Sequence, residues 1–537
     1  MYARQHNLIR STLAAALFAA AAGPLAAQAT DPLAITAAEL GARLRFISSD
    51  VFEGRGPGTR GEAIATQYLI SEMASFGVQP GGAEGSWLQP VSIIVHSADP
   101  ASPNEARLSG RVTRALVHGR DVRFSNYTAE PAVGAGGDLV FVGYGIHAPI
   151  YDWNDFAGVD LQGKIAVLLL GEPPAESDTS LFNGNRASRF GWNADKVNEI
   201  ERRGAIGALW LMPGATLSSS PPTGPRQLAP DAERATLRFA GMISDSALAS
   251  LLPGREGLAA LVERAGRPGF RPVPLGVRLD AEFRTRPRRV TTHNVIGTIP
   301  GRDTALAAEH VVLSAHWDAY GIGRAAGGDS IYNGALDDGS GITALLALAR
   351  VFAANPQRRS VTFLFTTAEE WGLLGAEAFV TSGPLPRDRI VANLNLDHGV
   401  EFMGRMRDAA PLGIELSSLR GNIDEVAARM GLTVSPDPYP EEGLFLRSDQ
   451  FPFARAGIPA LYMALGSDGE TYTRAQVDSA VTVYLGTHYH EPSDEYDTVV
   501  MGLEGALQFA EFVRDVTISV ANQNARPRWN EGSEFAR

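Results

Sequence analysis

Ser360-Val361-Thr362-Phe363-Leu364-Phe365-Thr366-Thr367-Ala368-Glu369-Glu370-Trp371-Gly372-Leu373-Leu374-Gly375 is the stretch on which the reading of this chain turns. Its β-branched and aromatic start predicts a buried strand over Ser360–Thr366, and the residues from Leu373 to Val380 predict a helix. Two glutamates stand side by side between them. A carboxylate next to a core is costly unless something compensates it, so the pair asks for a chemical reason.

The same texture extends to either side. Strands are predicted at Val311–Ser314, Ile390–Asn395 and Ala460–Ala464, and helices at Ile342–Ala353, Asp424–Met430 and Gly505–Val520. Strands alternating with helices predict an α/β layer fold with a mostly parallel central sheet. Near the N-terminus, apolar spacing of three and four predicts helices at Thr36–Ile47 and Gly61–Phe76, with a Gly-rich loop, Ser48 to Gly58, between them. From Gly136 the pattern changes. Short apolar strands (Leu139–Val142, Ile165–Leu170, Ala208–Met212) alternate with Pro/Gly turns, with one helix at Asn193–Arg203. The expected division is residues 30–131 as the first part of a catalytic domain, 132–286 as a β-rich insertion, 287–522 as the rest of that domain and 523–537 as a loose polar tail.

Bulk properties narrow the function. A chain of 537 residues is too long for a single core. With 60 acidic residues against 47 basic ones its formal net charge is −13, the wrong sign for neutralising phosphates, so nucleic acid is not an expected partner. Cysteine is absent, which excludes disulfides and thiolate metal ligands. The first 29 residues read as a signal peptide: Arg4 and Arg10, an apolar run from Leu13 to Gly23, then Ala27-Gln28-Ala29 as a cleavage site. No later stretch approaches the roughly 20 apolar residues that span a bilayer. Export to a bacterial periplasm or the extracellular space is the resulting expectation.

Five side chains fall at or just beyond the C-terminal ends of predicted strands, the edge at which open α/β sheets bind ligands. They are His316 in Ser-Ala-His-Trp-Asp, Asp337 in Leu-Asp-Asp-Gly-Ser-Gly, Glu370, Asp397 in Asn-Leu-Asp-His-Gly, and His490 in His-Tyr-His-Glu-Pro-Ser-Asp. Imidazoles and carboxylates suit zinc without thiolate, and five are too many for one catalytic zinc. They suit two metals that share a carboxylate.

In this order and over Asn294 to Tyr496, the motifs resemble the co-catalytic zinc exopeptidases, a family that includes secreted bacterial leucine-type aminopeptidases and the glutamate carboxypeptidase II group. The Phe-Glu-Gly-Arg-Gly-Pro-Gly-Thr loop near the N-terminus is similar too. Gly143-Tyr144-Gly145-Ile146-His147-Ala148-Pro149 and Asp160-Leu161-Gln162-Gly163-Lys164-Ile165 resemble a protease-associated domain. The resemblance implies a phosphorylase/hydrolase-like sandwich with that domain inserted, and two Zn2+ per chain acting on peptide substrates. It implies His316 and Asp397 on one zinc, Glu370 and His490 on the other, and Asp337 bridging across a cis peptide bond to Asp338. His490 fits the family pattern where His488 does not. Asp318 is implied as the carboxylate that fixes the His316 tautomer, Glu369 as general base and Tyr489 as an oxyanion donor. The chain departs from the pattern at His398 and Gln450, both expected to alter the substrate pocket.

Rival readings lack residues. Ser340 is preceded by Asp338-Gly339, so no Gly-x-Ser-x-Gly elbow exists for a serine hydrolase. A glutaminyl cyclase of this fold works with one zinc, and a receptor branch should have lost ligands. Polarity is read from charge: Glu441, Glu442 and Asp449 against a single Arg447 favour capture of an amine over a carboxylate. An aminopeptidase is therefore expected over a carboxypeptidase.

Overall fold

A computed structural model of the chain describes residues 33–536 apart from 111–112, 175–180, 185, 215–216, 218–219, 221, 250–256 and 398–399. The signal-peptide segment and His398 lie outside the described residues. The structure confirms a mixed α/β architecture around a large sheet. At its centre run four parallel strands in the order Ala460–Tyr462, Ile390–Asn395, His310–His316, Ser360–Thr366. They are buried almost throughout and mostly apolar because both faces are covered. Val312 and Leu364 pack into one cluster with the helices Leu374–Ser382 and Gln450–Arg455. Strand alternation turns Leu313 and Phe365 to the opposite face, where the helices Ser340–Ala354 and Glu504–Asn522 lie. The helix expected from Asp424 begins earlier, at Leu419.

The mostly parallel sheet holds only for those four strands. Beyond them Val295–Ile299 pairs antiparallel with Val361–Phe365, and Leu88–Ala98 antiparallel with the same long strand.

A second sheet contains the strands Ala132–Phe141, Ile165–Leu169, Gly207–Met212 and Phe239–Ser244, parallel to one another, with Val122–Asn126 antiparallel at the edge. Its core includes Phe124 stacked on Phe283 at 5.2 Å, with Phe239 edge-on to Phe124. Strands at Glu105–Ser109, Arg114–Leu116 and Val122–Asn126 belong to this sheet, so it draws on residues before 132. Val273–Ile299 is one strand of 27 residues whose first half pairs in the second sheet and whose second half pairs in the first. Residues Ile35–Arg537 form one compact unit. Among the described residues no helix is long and apolar enough to cross a membrane.

The tail is not loose. Trp529 bridges to Ser417, the Arg528 amide donates to Ser418 Oγ at 2.9 Å, and the Asn530 side chain donates to the Glu415 carbonyl at 2.8 Å. Phe535 is 3% exposed, its ring 5.1 Å from Trp529 and 5.8 Å from Phe445. A segment polar by composition is anchored by two aromatic side chains. Phe535→Ala should destabilise the protein by about 3 kcal/mol, the usual cost of emptying a buried ring site. An unchanged thermal denaturation midpoint would contradict this packing.

Candidate metal centre

The parallel strands deliver their C-terminal ends to one edge. His316 is the last residue of its strand, Glu369 and Glu370 follow Ser360–Thr366, and Asp397 follows Ile390–Asn395. Asp337 lies in the turn before the helix Ser340–Ala354, and His490 follows the helix Arg474–Thr487. The fold brings all five together as two overlapping groups, His316–Asp337–Asp397 and Asp337–Glu370–His490, with ligand atoms in each group within 4.8 Å of one another.

Asp337 is common to both. Its Oδ1 is 2.9 Å from His316 Nε2 and its Oδ2 is 3.2 Å from His490 Nε2. His316 Nε2 is also 3.8 Å from Asp397 Oδ1, and His490 Nε2 is 3.2 Å from Glu370 Oε2. The Asp337–Asp338 peptide is cis. His488 hydrogen-bonds Ser493 and stays out of both groups.

The second ring nitrogens decide what the first can do. His316 Nδ1 lies 3.0 Å from the Asp318 main-chain carbonyl, which can only accept, so Nδ1 carries the proton. The tautomer is thus set by the carbonyl; the Asp318 carboxylate, expected to set it, lies 3.8 Å away and accepts from the Glu369 amide at 3.2 Å. Nε2, 2.9 Å from Asp337 Oδ1, donates to that carboxylate when the ring is an imidazolium, a form the surrounding carboxylates favour, and in the neutral ring it is the nitrogen left to ligate a cation. His490 Nδ1 meets the Tyr320 hydroxyl at 3.0 Å.

Electrostatics point the same way. Asp318 is pushed up to about 8 and Asp449 and Asp494 to about 7, while Glu369 is also raised. Burial is the largest cause in each case, and neighbouring carboxylates add to it. His490 rises to about 9: burial pulls it down, but Asp337 and Glu370 outweigh that. Among the described residues Asp318 Oδ2 and Asp449 Oδ1 are buried without a partner. Carboxyl groups crowded this closely, with burial opposing their ionisation, fit a centre built to hold cations.

Several supports were not singled out from sequence. Asp494 accepts from the Leu336 and Asp337 amides at 3.1 and 3.2 Å, and Asp338 accepts from the His316 amide at 3.0 Å. Ser448 donates to Asp397 and accepts from Asn395 at 2.7 Å. Gln450, expected in the substrate pocket, is instead fully buried and joins Asn395 to the Phe445 carbonyl. Tyr489 lays its ring on His490 at 3.6 Å. Asp494 stood in a motif that was read for its histidine; Tyr320 and Ser448 carry no sequence signal of their own.

Arg55, in the N-terminal Gly-rich loop, is completely buried and donates to the carbonyls of Ile47, Trp317, Asn333 and Gly334 at 2.6–2.9 Å. Gly334 has φ +54°, and a Cβ there would sit 2.8 Å from Arg55 Nη2 and 2.3 Å from the Asp337 carbonyl. The guanidinium thus fastens both chain segments that carry His316 and Asp337. Arg55→Met should cost roughly 3 kcal/mol or more by stranding buried carbonyls, and Arg55→Lys should not rescue it because its ammonium cannot fork to four acceptors. Chemical denaturation of both variants checks this; a fully stable Lys variant would refute it.

Residues 294–513 match the model of peptidase family M28. A vacuolar membrane protease of Candida dubliniensis is 43% identical over 91 residues, 17% of this chain and 9% of that protein. A probable glutamate carboxypeptidase of Arabidopsis thaliana is 27% identical over 383 residues, covering 64% of this chain and 50% of the relative. The chain spans about a tenth of the length of the vacuolar relatives it matches. The structure of an aminopeptidase from Aneurinibacillus sp. strain AM-1 aligns with TM-score 0.50 at 20% identity over 91% of this chain and 95% of that one, which shows a common fold. The expected bacterial periplasmic or extracellular location is corrected by these comparisons, because several curated relatives are named vacuolar membrane proteases of yeasts. An apolar leader favours entry into a membrane and does not encode the final compartment. The part of the chain that holds all five candidate ligands is thus the part that matches the peptidase family M28 model, residues 294–513.

Proposed function

We propose that this chain is a zinc-dependent aminopeptidase that binds two zinc ions and removes single residues from the amino end of peptides. The observation that carries it is Asp337, whose two oxygens face two different histidines at 2.9 and 3.2 Å. His316 and Asp397 would hold one zinc, Glu370 and His490 the other, and Asp337 both. The donor set is oxygen and imidazole nitrogen only, which zinc accepts. Bound there, the metals supply Lewis acidity that acidifies water and polarises a peptide carbonyl.

The chain's own residues supply the rest. Glu369 belongs to neither ligand group, and burial raises its carboxyl above the usual range. It takes the proton from the attacking water and returns it to the departing amine nitrogen. The Tyr489 hydroxyl is held protonated by burial and by the carboxylates around it, so it remains a donor for the developing oxyanion. Surplus carboxylate supports amine capture. Arg447, the basic residue of the Glu442–Asp449 loop, is exposed and lies 3.8 Å from Glu442, so its charge is partly answered there. We infer also that the second sheet is a protease-associated type of insertion that shields the centre; both ligand groups lie outside it.

Metal analysis should give about two zinc per chain, and a single zinc would undo the two-metal reading. Glu369→Gln should lower turnover roughly 10²–10⁴-fold with zinc content unchanged, the range for a lost general base. Near-normal turnover in that variant would remove Glu369 from the reaction. On polarity, Leu-p-nitroanilide should be cleaved and its N-acetyl derivative should not. Cleavage of an N-acylated dipeptide with a free carboxylate, and not of the anilide, would reverse the assignment.

A further inference from the structure

The connection between the second-sheet strands Gly207–Met212 and Phe239–Ser244 brings a cation toward the metal centre. Arg226 precedes a short strand, Gln227–Leu228, that pairs antiparallel with Ile93 and Ile94. Leu228 packs with Ile93, Ala368 and Trp371, which fixes the register of this loop against the turn carrying the two glutamates. The Arg226 guanidinium then lies over the Trp371 ring, 4.7 Å from its centroid. Trp371 directly follows Glu370. Among the described residues Arg226 has this ring contact and no ion pair or hydrogen bond. Its side chain is solvent-exposed; desolvation lowers its pKa, and Tyr320, Glu370 and Asp318 of the centre oppose that shift.

An arginine held by an aromatic face keeps its fork of donors free for an anion. Among the described residues none of Tyr320, Glu370 and Asp318 forms an ion pair or hydrogen bond with Arg226. A peptide's ammonium end is repelled by a guanidinium and drawn to surplus carboxylate, so the substrate's positive pole cannot sit beside Arg226. Its negative pole can. We propose that Arg226 is a specificity-determining residue that binds a carboxylate on the part of the peptide beyond the scissile bond. That carboxylate is either the free C-terminus of a dipeptide or the acidic side chain of the second residue. The proposal rests on the aminopeptidase reading for which end of the substrate faces the guanidinium.

Three peptides separate the sources: Leu-Gly amide, Leu-Gly and Leu-Glu amide, each compared with the zinc-loaded enzyme and its Arg226→Gln and Arg226→Lys variants. The wild type should favour at least one acid over the neutral amide in kcat/KM by roughly ten-fold or more, the worth of a hydrogen bond to a charged group. Arg226→Gln should bring that ratio to about one, through KM, and Arg226→Lys should keep part of it. Loss confined to Leu-Gly assigns the terminal carboxylate; loss confined to Leu-Glu amide assigns the side chain. Calorimetric titration of the same peptides into Glu369→Gln protein, with and without Arg226→Gln, reads the affinity ratio without turnover. A ratio that Arg226→Gln leaves intact in both measurements overturns the proposal. Failure of the wild type to cleave Leu-p-nitroanilide overturns the aminopeptidase reading alone, and the calorimetric ratio still decides Arg226.

Discussion

The structure depends on repulsion held in check. Asp318, Asp337, Asp338, Glu369, Glu370, Asp397, Asp449 and Asp494 converge at one sheet edge, half of them buried, with two imidazoles among them in the described residues, His316 and His490. Carboxylates gathered in low dielectric either protonate, find donors or surround cations. Here burial favours the first at Asp318, amides supply the second at Asp338 and Asp494, and the third is open to Asp337, Glu370 and Asp397. Asp338 and Asp494 are answered by main-chain amides, which hold without titrating. Asp318 takes one amide and leaves one oxygen unanswered. Asp337, Glu370 and Asp397 are left facing imidazoles, and these are the atoms available to metal.

This division of labour explains why the surrounding chain is so closely fastened. A bridging carboxylate is useful only if its two oxygens stay aimed at two places, and the amide contacts of Asp494 are made to the very segment that presents Asp337. Arg55 fastens the same segment from the other side through the carbonyls of Asn333 and Gly334. Neither residue reaches the ligand atoms, yet both set where those atoms are. Similarly, Gln450 acts at two removes, through Asn395 and Ser448, on Asp397.

The central fold was legible because parallel strands buried on both faces announce themselves as apolar runs, as Ser360–Thr366 does, and the ligands follow such runs directly. Asp318 was chosen for its carboxylate, but the hydrogen bond to His316 comes from its carbonyl, which every residue possesses and no sequence displays. Gln450 was placed in the pocket because it departs from the family pattern, although the helix Gln450–Arg455 buries it completely. The long strand Val273–Ile299 went unseen in part because Arg278, Arg284, Arg286, Arg288 and Arg289 make it look like a surface loop. Its inward residues Leu275, Val277, Leu279, Ala281 and Phe283 do alternate, so the period-two signal was present and the charges concealed it. The tail was misjudged by composition: two aromatic anchors outweigh its polar residues.

That shared strand has a consequence for how the molecule could be dissected. Its halves donate to different sheets, so no peptide bond within it can be cut without taking ladder hydrogen bonds from one of them. Excising the second sheet would leave the partner segment Leu88–Ala98 paired to a severed strand and expose unpaired amides and carbonyls along a flat edge, the kind of surface on which chains aggregate. Whatever its origin, the accessory sheet is joined to the one that carries the candidate ligands as a graft sharing living wood, and a minimal version would need a new edge strand as well as a shorter chain.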